Sequence, residues 1–234
     1  MALTDNLIAY YKLDWNSNDS VGWNNGTDTS VPYVAGKIGN GWSFNGTNSK
    51  TLVSSNLWIT NWPCSISLWC KLNAEITTGT YQLATKQDLT TQVGYGLQYE
   101  YNGGTRRLAL LRNRANIPTN AVYYTASLWT SNYFHFCITY DGTNVEGYVN
   151  GSSIGTIASS GNGAATGYTN VLNIWYVSYW GVDQQYANAI IDEVWIYSRA
   201  LSWSEVSQLY NGWAWLTYPF TTQASNPAFL LNFL

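Results

Sequence analysis

Phe136-Cys137-Ile138-Thr139-Tyr140 runs through Asp141-Gly142-Thr143 into Val145-Glu146-Gly147-Tyr148-Val149, and Asn150-Gly151 then leads into Ser153-Ile154-Gly155-Thr156-Ile157. These are three short runs in which apolar and polar residues alternate, separated by two turn signals. They read as three consecutive antiparallel strands. Asp-Gly and Asn-Gly supply the positive φ that a tight hairpin turn demands. The same reading extends outward. Ser65 to Leu72 places Ile66, Leu68, Cys70 and Leu72 on one face. Tyr95 to Tyr101 and Arg107 to Arg112 form two neighbouring strands around Asn102-Gly103-Gly104-Thr105. Val171 to Val177 and Ala189 to Tyr197 supply two late strands. The total is about a dozen strands, which suits a two-sheet antiparallel sandwich. One segment has helical spacing instead. Ser202-Trp203-Ser204-Glu205 is a capping box, Val206, Leu209 and Tyr210 follow on one face, and Asn211-Gly212 ends the turn. This predicts one helix over 202–210.

The chain has 234 residues, enough for one large all-β domain, and the reading places that domain at 1–212. Only 10% of residues are charged and the net charge is -3, which gives no grip on nucleic acid. No apolar run is long enough to span a bilayer, and the start shows no signal peptide. Three cysteines make no disulfide framework; Cys70 and Cys137 sit in apolar alternation and read as buried small hydrophobes. A single histidine, His135, excludes a Cys/His zinc cluster and reads as a hydrogen-bonded strand residue, not a base. Residues 213–234 are uncharged and end in Phe229-Leu230-Leu231-Asn232-Phe233-Leu234. They read as an apolar tail docked on this domain or a partner, and oligomers through this tail are expected.

Several segments, in order, resemble laminin-G-like domains of the concanavalin A-like lectin and glucanase jelly-roll family. Leu7 to Asp14 resembles the opening strand and Asn24-Asn25-Gly26-Thr27 the early loop. Lys37-Ile38-Gly39-Asn40-Gly41 with Ser43-Phe44-Asn45-Gly46 resembles the next signature. Ile191-Asp192-Glu193-Val194 and Ile196 to Leu201 resemble the closing strand and helix entry. The resemblance implies a concanavalin A-like jelly roll that binds glycans or a surface partner, in an extracellular or virion-associated setting. The alternative is a structural decoration of a virion or cell-surface assembly. Enzymes in the family place carboxylates at alternating positions of one strand. Here Glu75, Glu100, Glu146, Glu193 and Glu205 are scattered. Asp192 and Glu193 are adjacent, so on a regular strand they face opposite ways. No enzyme is expected.

Thirteen tryptophans are unusual for this length. Trp15, Trp23, Trp175, Trp180, Trp195, Trp213 and Trp215 stand where similar domains carry glycine, and Trp58, Trp62, Trp129 and Trp203 can be read the same way. Trp69 looks native to its strand. An indole is costly at a turn position that wants positive φ. The expectation is that the source gene uses UGA for glycine, so these indoles are not taken as sugar platforms.

Candidate ligand residues are loop and strand-end side chains: Arg112 and Arg114, Tyr123 and Tyr124 as stacking groups, and Tyr179 and Asp183 in the loop from Tyr179 to Gln185. Asp14-Trp15-Asn16-Ser17-Asn18-Asp19 carries oxygen side chains at alternating positions, as a loop around a hard cation does. The resemblance implies a structural Ca2+ between this loop and the closing strand, held by Asp14, Asp19 and Asp192.

Overall fold

A computed structural model describes residues 2–53, 57, 63–88, 93–114, 117–125, 130, 132–158, 172–174, 177–179 and 182–211. In chain order the strands are β1 Leu7–Tyr11, β2 Gly26–Thr29, β3 Tyr33–Ala35, β4 Asn40–Asn45, β5 Lys50–Val53, β6 Cys64–Leu72, β7 Thr80–Asp88, β8 Val93–Asn102 and β9 Thr105–Arg114. They continue with β10 Ile117–Tyr124, β11 Phe134–Tyr140, β12 Asn144–Val149, β13 Ser152–Ala158, β14 Leu172–Ile174, β15 Val177–Tyr179, β16 Val182–Gln184 and β17 Asn188–Tyr197. Helix α1, Trp203–Asn211, follows. The described residues hold seventeen strands against the dozen expected, because β2, β3 and β14 to β16 are too short to show alternation. The strand expected over 171–177 is divided: β14 pairs with β5 and β7, while β15 pairs with β16.

Two antiparallel sheets form the sandwich. One runs β10-β9-β8-β7-β14-β5-β2. The other runs β13-β12-β11-β6-β17-β4-β3, with β1 also on β17. The opening stretch of sequence is β11, β12 and β13, with Phe136 opposite Val149 and Tyr148 opposite Ser153. Asn150 and Gly151 take φ of 50° and 74°, the left-handed pair of a two-residue hairpin. Between the sheets lie the inward sides of both: Ile66, Leu68, Cys70 and Leu72 of β6 meet Leu97, Tyr99, Leu108 and Leu110 of β8 and β9. Each such buried aliphatic contributes about 1.5–3 kcal/mol.

β6 and β17 are buried on both sides because a second apolar layer covers the outside of the larger sheet. Leu3, Tyr10, Cys137, Trp195 and Tyr197 pack there against Leu201, Val206 and Leu209 at the helix. Helix α1 begins one residue beyond its expected start because Ser202 is its cap. Glu205 reaches back to the Ser202 N–H at 2.8 Å, as a capping box requires. The Ser202 hydroxyl donates to the same carboxylate. Arg199 closes the arrangement: Nη1 and Nη2 lie 2.9 and 2.8 Å from the two oxygens of Glu205, and Nε and Nη2 donate to the carbonyls of Asp5 and Ala2. One guanidinium thus ties the chain start to the helix.

His135 is buried, with Nε2 2.7 Å from Ser67 Oγ; burial lowers its pKa to about 3, so it is neutral and structural, as expected. All three cysteines are buried thiols outside any disulfide, and burial pushes those of Cys70 and Cys137 up. Among the described tryptophans none has positive φ, so the backbone argument for glycine does not hold at Trp15, Trp23, Trp195 and Trp203. Trp42, Trp69 and Trp195 are buried strand residues, and Trp15, Trp23 and Trp203 swing out to solvent. The remaining tryptophans and the tail from 213 lie outside the described residues. Among the described residues no helix is long and apolar enough to cross a membrane.

Candidate functional site

The hairpin of β8 and β9 turns at Gly103-Gly104, with Asn102 opposite Thr105. That register sets Glu100 opposite Arg107, Gln98 opposite Ala109, and on β10 Tyr123 opposite Ala109. Strand alternation then sorts the side chains. Leu97, Tyr99, Leu108, Leu110 and Val122 belong to the core, so their neighbours Gln98, Glu100, Arg107 and Tyr123 stand on the outer face.

A hydrogen-bonded row crosses this face. Thr85 Oγ1 donates to Gln82 Oε1 at 2.8 Å. Gln82 Nε2 donates to Gln98 Oε1 at 3.2 Å and to Gln185 Oε1 at 2.7 Å. Gln98 Nε2 donates to Glu100 Oε2 at 3.0 Å, and Arg107 Nε donates to Glu100 Oε1 at 2.5 Å. The Arg107 guanidinium lies 3.9 Å from the centroid of Tyr123, a ring that is 45% exposed. Thr85 and Gln82 are fully buried yet partnered, so the inner end of the row is fixed. Along its outer end Gln98, Glu100 and Arg107 are half-buried and Tyr123 is exposed. Ala109 and Ala121 form a small apolar cluster on the same face.

The expected ligand residues fall unevenly around this row. Tyr123 is its exposed end. Tyr124, one residue on, points the other way and packs against the core. Arg112 stands opposite Tyr95 and Asn120, and Arg114 opposite Ile117; their side chains lie outside the described residues. Tyr179 and Asp183 belong to the β15–β16 ladder, opposite Val182 and Ser178. That ladder leads into Gln185, whose carbonyl accepts the Gln82 N–H at 3.1 Å, so it ends beside the polar row. The sequence reading missed Gln82, Gln98, Glu100 and Arg107, while Gln185 closes the loop it had picked out. The signal for three of them was present: once Gly103-Gly104 is taken as the turn, counting back pairs Glu100 with Arg107 and puts Gln98 on their face.

The acidic residues of the opening loop and closing strand take separate roles. Asp19 is a loop staple: Oδ1 accepts the N–H groups of Tyr10 and Val21 at 3.0 Å, and Oδ2 accepts Asn24. Asp14 and Asp192 lie under one loop, residues 36–41. Asn40 N–H donates to Asp14 Oδ1 at 3.0 Å and Ile38 N–H to Asp192 Oδ2 at 2.8 Å. Gly39, with φ of 57°, lets the loop close, since a Cβ there would stand 2.2 Å from Asp14 Oδ1. Asp14 also lines a cleft of about 280 Å³ with Lys12, Asn16 and Ser20. Asp192 is fully buried and its Oδ1 has no hydrogen-bond partner. Burial raises its carboxyl to about 7 against the opposing N–H groups of Ile38 and Lys37.

Glu193 does not face opposite Asp192 as a regular strand would dictate. The β17–β6 register slips between Asp192 and Trp195, and Glu193 takes φ of 54° in that bulge. It is buried against the Tyr10 hydroxyl, which donates to it, and burial and the Asp192 charge raise it to about 8. Among the described residues no group of three or more His, Cys, Asp or Glu converges as a metal site.

Residues 44–207 match the concanavalin A-like lectin/glucanases superfamily through a laminin-G-type family, and the chain belongs to that family. No curated protein matches it in sequence. Among solved structures it resembles domain 4 of AbnA, a GH43 extracellular arabinanase from Geobacillus stearothermophilus, in complex with arabinotriose. The identity is 24%, the TM-score 0.67, and the match covers 87% of this chain and 98% of that one. It also resembles the binding domain of botulinum neurotoxin DC in complex with SialylT, at 15% identity and TM-score 0.70, over 91% of this chain and 52% of that one. The binding domain of Paraclostridial Mosquitocidal Protein 1 is similar at 20% identity and TM-score 0.67, over 91% and 53%. The chain thus spans about half of each toxin binding domain. At these identities the likeness is one of fold.

Proposed function

We propose that this chain is a non-catalytic module that binds a glycan on the outer face of its seven-stranded sheet, in an extracellular or virion-borne setting. The observation that carries this reading is the fixed polar row running from buried Thr85 to exposed Tyr123. Amides and a carboxylate held in place by neighbours offer sugar hydroxyls donors and acceptors without further ordering cost. Two of the similar structures are complexes, one with arabinotriose and one with SialylT, which supports the class but not the location.

The absence of catalysis rests on where the acids stand. Glycoside hydrolysis uses two carboxyl groups flanking the scissile bond. The described part of this face presents Glu100, already engaged by Arg107 and Gln98. Among the described residues the close acidic pair with raised pKa values, Asp192 and Glu193, is buried. A glycan array tests the binding reading. Hits that disappear in Tyr123→Ala are expected; silence on the array together with self-association would overturn the reading and favour a structural decoration. Sugar release from a bound glycan would overturn the non-catalytic part.

A structural calcium belongs to the same proposal. Asp192, with its unpartnered buried oxygen, and Asp14 are the residues that would hold it, and Asp19 is committed elsewhere. Calcium accepts carboxylate and carbonyl oxygens, and would neutralise the charge buried under the loop.

A further inference from the structure

From the charges on this face we infer that its ligand is a neutral oligosaccharide, laid from Gln98 past Glu100 and Arg107 with one ring against Tyr123. The inference rests on the binding reading above and adds the chemical class.

The argument is electrostatic. An acidic sugar is held by an unspent cation, most effectively by an arginine fork facing a carboxylate or sulfate. Arg107 is not unspent. Its Nε lies on Glu100 Oε1 and its guanidinium carbon sits 3.9 Å from the Tyr123 ring centroid. Arg106, next along β9, donates to the Ile76 carbonyl and lies 3.3 Å from Glu75. Each of these two arginines thus has its own carboxylate; Arg106 is turned to the other side of the strand, and on the outer face the Glu100–Arg107 pair carries no net charge. An incoming anion would have to displace Glu100 from Arg107 or lie close to it, and like charges at that range repel.

What remains available suits hydroxyl groups. Glu100 keeps lone pairs beyond those taken by Gln98 and Arg107. Gln98 and Gln185 present amides that can both give and receive. Tyr123 supplies an aromatic surface, negative on its face, for the C–H side of a sugar ring. Alternating donors and acceptors beside an aromatic ring match a chain of neutral sugars. They offer nothing particular to a carboxylate or sulfate.

The test is titration calorimetry, with saturation-transfer NMR for weak ligands, on the full chain. Neutral probes are arabinotriose, cellotriose and chitotriose; acidic probes are sialyllactose and trigalacturonate. At least one neutral probe should bind, and no acidic probe should bind as tightly. Tyr123→Ala should weaken binding about ten-fold or more, the loss of one stacked ring. Tyr123→Phe keeps the ring and should bind as the parent does, which separates stacking from folding. Gln98→Ala should also weaken binding, and Trp23→Ser, which removes an exposed indole outside the face, should not.

Acidic probes binding best, in a Tyr123-dependent way, would overturn the neutral class and leave the site standing. Binding indifferent to both Tyr123→Ala and Gln98→Ala would overturn the site while leaving a glycan-binding module. No binding of any probe, with an empty glycan array, would overturn both.

Discussion

Glu205→Gln removes the charge from the only described carboxylate bound by Arg199, and its effect can be worked out from the structure. Burial alone would raise the Glu205 carboxyl. The hydrogen bonds from Arg199 and from the Ser202 N–H and hydroxyl overturn that and hold it at about 2, against an ordinary 4.5. A carboxyl held down in the folded state stabilises the fold above its ordinary value, and the stabilisation is lost as pH falls toward the folded value. The difference amounts to roughly 3 kcal/mol. Both side chains are only 8% exposed, so solvent screening removes little of it. At pH 7 the variant leaves Arg199 buried with a neutral partner, which costs on the order of 3–5 kcal/mol. Urea denaturation followed by circular dichroism should therefore show the variant well below the parent at pH 7. The gap should narrow steadily between pH 4.5 and pH 2, because the parent alone loses the charged contact. A gap that is absent at pH 7, or that stays constant down to pH 2.5, would show that the clamp does not work through this charge.

Calcium should raise the melting temperature relative to EGTA, by up to about 2.7 kcal/mol of stability at a hundred times the dissociation constant, and Asp192→Asn should abolish the increase. Equal melting in calcium and EGTA would remove the ion from the account. Intact mass of the protein made in its natural host should be lower than the printed sequence requires, with glycine at most tryptophan positions and Trp69 retained. Tryptophan at Trp15, Trp23 and Trp203 would end the recoding idea; these are the exposed positions where glycine leaves no cavity.

Local signals made the fold legible. Asn150-Gly151 and Gly103-Gly104 fix two hairpins, and the period-2 faces of β6, β8 and β9 assign the core. The capping box located α1 to within a residue. The binding face was legible only in part. Tyr123 was identified as an aromatic, but the row that ends on it joins residues 82, 98 and 185, and no local pattern brings these together. The Asp192–Glu193 pair was misjudged for a different reason. Alternation assumes a regular strand, and the bulge that breaks it shows only in the register with β6 and the positive φ of Glu193. Trp195 was read as standing at a glycine turn position, but it sits in a strand set by its partners, so turn chemistry does not apply to it.

Strand β17 lies between β6 and β4 and also carries β1. It is nearly the last segment of the domain, at Asn188–Tyr197, and everything it joins was made more than a hundred residues earlier. A growing chain therefore holds β1, β4 and β6 with their central neighbour missing until the ribosome has passed residue 197. Such long-range closure makes folding slow and leaves open edges exposed while it waits. Synthesis that stops before that point would release an unclosed sheet prone to clumping, so the cell's first exposure to this protein is to its unfinished form.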